Sequence, residues 1–144
     1  MLPSGLPEDV SDEEKLARFL TQSNQFNTVM AKPAAFLPNP TDRETSVSRY
    51  DGDSKRLWEM GQFAAGARNL YGAAILKARD VRLAHLKARD VSSAQLAVVS
   101  DEPPPYHAVI QGWPWNESDP ELQKARQKEL AALLASAAGK PTLR

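Results

Sequence analysis

Apolar residues along this 144-residue chain fall into blocks whose spacing switches between helical and alternating. In the first block Leu16, Phe19 and Leu20 recur at i, i+3 and i+4. They follow Ser11-Asp12-Glu13-Glu14, a capping box in which the Ser11 hydroxyl and the Glu14 carboxylate would each accept from the other residue's backbone N–H. The pattern predicts a helix over about 12–22, with Arg18 off its apolar stripe. Residues 23–44 carry Pro33, Pro38 and Pro40, which remove backbone donors and forbid a long helix. They read as a long loop packed onto the domain through Phe26, Val29, Phe36 and Leu37. The β-branched and hydroxyl residues of 45–50 predict a strand carrying Arg49, ended by the turn dipeptide Asp51-Gly52. Asp53 or Ser54 can cap a helix over about 54–67, with Leu57, Trp58, Gly61, Ala64 and Ala65 on one face.

The rest of the chain is arranged around 96–115. Two apolar runs, 96–99 and 108–110, flank the acidic triple-proline segment Asp101-Glu102-Pro103-Pro104-Pro105, which reads as a strand, a rigid corner and a second strand. Ser118-Asp119-Pro120-Glu121 then opens a final helix to about Ala138, ended by Gly139 and Pro141. Leu122, Ala125, Leu130, Leu133, Leu134 and Ala137 are its expected buried side. Between strand and helix, Trp113 and Trp115 leave the chain around Pro114 in different directions. Trp113 is expected to pack on the final helix through Leu122 or Ala125, and Trp115 to be the more exposed ring. These elements make an α+β fold, a small mostly antiparallel sheet near 45–50, 96–100 and 107–112 covered by about three helices. It forms a single domain over 11–139, with a flexible lead at 1–10 and a tail at 140–144.

A tandem repeat interrupts this pattern: Leu76-Lys77-Ala78-Arg79-Asp80-Val81 recurs ten residues later as Leu86-Lys87-Ala88-Arg89-Asp90-Val91. Ten residues turn an α-helix by about 1000°, which leaves equivalent side chains about 80° apart. One helix therefore cannot aim both copies at the same core, and one copy is expected to be surplus.

Composition narrows the chemistry. Eighteen basic and eighteen acidic residues cancel, so no overall field draws the protein to nucleic acid or to an anionic membrane. With no cysteine there is no disulfide, thiolate metal site or cysteine nucleophile. The two histidines, His85 and His107, lack metal-ligand spacing, and no glycine-rich phosphate loop occurs, so no metal or cofactor is expected. The start of the chain lacks a basic region followed by an apolar core, which places the protein in the cytoplasm. Asp101 and Glu102 read as a solvated turn.

Arg49, a tyrosine such as Tyr71 and the later His107 resemble in order the layout of ADP-ribosyltransferase-like domains. That resemblance implies a small NAD- or nucleotide-processing transferase in which Arg49 grips the anion and His107 orients or moves a proton. No acidic residue occupies the place of such an enzyme's catalytic glutamate. The arrangement of Arg18-Phe19, 32–38, 45–49 and 101–114 resembles instead a family of small bacterial proteins whose nearest functional association is with SocB-type toxins. Those toxins block DNA replication by docking on the sliding clamp. Gln95-Leu96-Ala97-Val98-Val99 is similar to the clamp-binding pentapeptide at its first two positions and its apolar fourth, and departs from it at the aromatic fifth. The resemblance implies a bacterial interaction protein of toxin–antitoxin or mobile-element type, whose partner is another protein such as a replication clamp or an antitoxin. Gln95, Leu96, Val98, Val99 and Trp115 are then the docking residues.

Overall fold

A computed structural model describes residues 2–89 and 94–144. Three of its strands are those the sequence predicts, and the antiparallel sheet they belong to is wider. The strands are β1 (Lys15–Leu20), β2 (Thr45–Tyr50), β3 (Gly72–Lys77), β4 (Ala97–Ser100), β5 (His107–Gln111) and β6 (Thr142–Leu143). They lie in the order β4-β5-β2-β1-β3-β6. With the helices α1 (Ser54–Ala65), α2 (Ala78–Leu83) and α3 (Pro120–Ala138) they make an α+β fold.

The expected helix over 12–22 is the strand β1, at the middle of the sheet between β2 and β3. Leu16 and Leu20 enter the core on one face, and Ala17 and Phe19 enter a second cluster on the other. A strand buried on both faces carries a nearly continuous apolar run, and such a run also contains the i, i+3, i+4 spacing of a helix stripe. The capping signal is half real. Glu14 accepts from the Ser11 N–H at 2.7 Å, but the Glu14 N–H returns to the Ser11 carbonyl at 3.1 Å and closes a turn. The lead before it is tied down: Ser4 donates to Glu102, the Pro7 carbonyl accepts from Arg49, and Val10 is buried.

Strand β3 had no counterpart in the expected sheet. Its small residues let neighbours approach closely, and a side chain at Gly72 would run into the Thr142 carbonyl of β6. The first copy of the repeat continues from β3 into α2, with Leu76, Ala78 and Val81 buried. In the second copy the same residue type faces solvent: Leu76 is 4% exposed and Leu86 is 69% exposed. Residues 90–93 of that copy lie outside the described residues.

One face of the sheet is covered by α2, α3 and the turn at 33–35, which with Phe36 close the larger core. In α3 the buried side is Gln127, Leu130, Ala131, Leu134 and Ala135, whereas Ala125 and Ala137 are exposed. In this alanine-rich helix several stripes have similar hydrophobicity, and contact with the sheet selects among them. Its cap is Asp119, whose side chain accepts from the Leu122 N–H, with Pro120 in the first turn. On the other face α1 packs over β1 and β3 through Leu57, Trp58 and Met60. Among the described residues no helix covers the β2 and β5 half of that face, and no helix is long and apolar enough to cross a membrane.

Candidate functional site

The residues that the sequence offered as a catalytic set are held apart. Ser48 is the partner of His107 in the β2–β5 register, so those two share a face and the adjacent Arg49 points to the opposite one. Arg49 is 2% exposed. Its guanidinium meets Glu14 with two hydrogen bonds, of 2.8 and 2.9 Å, and also donates to the Pro7 carbonyl at 2.7 Å and the Ser100 hydroxyl at 3.1 Å. Such an arginine joins the lead, β1, β2 and β4, with four of its five N–H groups taken by these partners. Tyr71, just before β3, packs against Phe26 with 5.5 Å between ring centroids. Two strands' width separates it from β5.

Partial burial raises the Glu14 carboxyl, but hydrogen bonds from Arg49 and from the Ser11 N–H, with the Arg49 charge, outweigh it and hold the group below its ordinary value of 4.5. A carboxyl lowered in the folded state contributes stability above its unfolded value, and that contribution is lost as pH falls through the folded value. The melting temperature is therefore expected to drop as pH is lowered from about 5 towards about 3. Thermal melts of a Glu14→Gln protein across that range should show a shallower slope.

The docking segment is also divided. Leu96 and Val98 are core residues, while Gln95 and Val99 face outward. A strand that alternates in this way cannot give a partner the leucine and the fourth-position apolar group together without opening the core. The two tryptophans follow the expected order, with Trp113 buried and Trp115 half-buried. Trp113 lies in the core cluster with Leu130 and Leu134, not on the exposed Ala125. Trp115 is covered by Arg43, whose guanidinium carbon is 4.5 Å from the ring centroid and which also bonds Glu117 at 3.0 Å.

A different group of residues converges at the gap between β1 and β2. The paired register of β1 with β2 stops at Ala17 and Ser48. Beyond it the Arg18 side chain takes the place of ladder donors, with Nη1 on the Ser46 carbonyl at 3.0 Å and Nε on the Ala35 carbonyl at 2.7 Å. Past the end of α1, Arg68 is held by the carbonyls of Ala65 at 3.1 Å and Ala64 at 2.9 Å. Both arginines line an open cleft of about 490 Å³ between the end of α1, strand β2 and the 37–44 loop. Asp42 and Glu44 bring two carboxylates, Ser46, Ser48, Asn39 and His107 supply further polar groups, and Phe63, Leu37 and Pro104 supply an apolar rim.

The electrostatics of this cleft set it apart from the exposed ion pairs elsewhere. Among the described residues neither Arg18 nor Arg68 forms an ion pair with a carboxylate, unlike Arg43, Arg49, Arg56, Arg79 and Arg82. Burial, and to a smaller extent the charge of Arg68, push Arg18 down to about 10, which still leaves it a cation at neutral pH. Both guanidiniums are held by carbonyls and keep unspent N–H groups. His107 lies 2.9 Å through Nδ1 from the Asp101 carbonyl, a partner that requires the proton on Nδ1 and leaves Nε2 as the ring's other polar atom. The one signal for Arg18 in the sequence was a charge inside the apolar run Leu16-Ala17-Arg18-Phe19-Leu20, and Arg68 gave none. No protein-family model, curated protein or solved structure matches this chain.

Proposed function

We propose that this chain is a binding protein that captures an anionic group in the cleft between Arg18 and Arg68. The observation that carries the reading is the pair of positioned guanidiniums in one cleft, neither of which, among the described residues, is ion-paired with the Asp42 and Glu44 carboxylates that also line it. Two like charges so placed oppose each other, and an anion between them removes that repulsion while taking up the unspent N–H groups. A protein partner of the kind suggested by the toxin resemblance, a replication clamp or an antitoxin, would be engaged here through an acidic group and not through 95–99, whose leucine and fourth-position valine are in the core.

Titration calorimetry with inorganic phosphate tests the reading. Arg68→Gln is expected to weaken binding about ten- to a hundredfold, the range for losing hydrogen bonds to a charged group. Its melting temperature should stay near that of the parent, because among the described residues Arg68 hydrogen-bonds only to helix-end carbonyls and Thr21. Equal affinity in parent and variant would remove the cleft as the site.

A further inference from the structure

We propose that the group captured is a phosphate monoester carried on a flat ring, as in a mononucleotide; this rests on the anion reading of the cleft and adds the chemistry of its ligand. Acceptor number decides for phosphate over carboxylate, since Asp42 and Glu44 line the cleft beside the two arginines and cancel their formal charge. Arg18 and Arg68 keep N–H groups beyond those spent on carbonyls and Thr21, and a phosphate monoester brings three acceptor oxygens to them where a carboxylate brings two.

The ring follows from the rim. Phe63, on the solvent side of α1 and 74% exposed, belongs to the lining of the same cleft as the arginines. Leu37 and Pro104 line it too, and a planar apolar body is the shape that an exposed phenyl ring holds best. The third feature is the acceptor side. Asp42 and Asn39 also line the cleft, and they can accept from hydroxyl or amino groups of a ligand whose phosphate is already held by the arginines. A volume of about 490 Å³ lies in the range of small-ligand sites and is too small for a folded partner to enter.

The experiment compares three probes by titration calorimetry on the full chain: inorganic phosphate, adenosine and adenosine 5′-monophosphate. The monophosphate is expected to bind at least about tenfold more tightly than either of the others, since it makes both sets of contacts. Phe63→Ala should lower the ratio of monophosphate to phosphate affinity about three- to tenfold, the size of one aromatic contact, and Phe63→Trp should preserve it. A monophosphate that binds no more tightly than phosphate, or a ratio that Phe63→Ala leaves unchanged, overturns the ring and leaves the anion site standing. Absence of binding by both phosphate and the monophosphate overturns the anion site as well.

Discussion

Replacing Trp113 by alanine is expected to lower stability by about 3–5 kcal/mol, which for a domain of this size means a melting temperature lower by about 10 °C or more. The ring is 6% exposed and belongs to the same buried cluster as Leu16, Leu96, Leu130 and Leu134, so its removal leaves a cavity where the sheet meets α3. Domains of this kind have about 5–15 kcal/mol in total, and the loss is a large share of it. Trp113→Phe should cost less than truncation to alanine. It keeps an aromatic ring in the space and deletes the indole N–H, which is buried with no acceptor among the described residues. Trp115→Ala is expected to cost much less, because that ring is half-buried and its described partner is the exposed cation of Arg43. Thermal or denaturant melts of the three variants check the order, and equal losses at Trp113 and Trp115 would contradict it.

Glu14→Gln is the second substitution with a large expected effect, about 3 kcal/mol. It leaves the Arg49 guanidinium buried without its counter-charge, and breaking a buried pair from one side costs about 3–5 kcal/mol. The lower end of that range applies because Glu14 itself is partly exposed, its side chain retaining 26% of its accessible surface. In addition the Pro7 carbonyl and the Ser100 hydroxyl continue to accept from Arg49. Removing both charges, as in Glu14→Gln with Arg49→Met, should recover part of the loss, since an apolar chain fills the strand position without a desolvated cation. The double variant should also bind phosphate like the parent, because neither Glu14 nor Arg49 lines the cleft and Arg49 points away from Ser48 and His107, which do. Urea melts of the single and double variants measure the first expectation, and calorimetry with phosphate measures the second. A double variant less stable than Glu14→Gln alone would show that the arginine's other hydrogen bonds outweigh its charge.

Sequence by itself determined the elements whose signals are local. Strand β2 with its Asp51-Gly52 turn, the β4–β5 hairpin around the prolines, and the presence and approximate place of α1 and α3 follow from alternation, turn chemistry and caps, which act over a few residues. Tertiary structure alone decided β1, because burial on both faces erases the alternation that distinguishes a strand from a helix stripe. The repeat makes the same point with identical residues: Leu-Lys-Ala-Arg-Asp-Val joins a buried strand to α2 at 76–81, while at its next occurrence Leu86 is exposed. Context, not propensity, assigns the first copy to the core, where Leu76 pairs with Leu16 of β1 and joins Ala78 and Val81 in the larger cluster. The cleft is likewise a product of the fold. Arg18 and Arg68 belong to distant segments, and they meet because β1 parts from β2 after Ala17 and because α1 ends beside that gap. Register and helix length, set by the packing of the whole sheet, bring the two charges together.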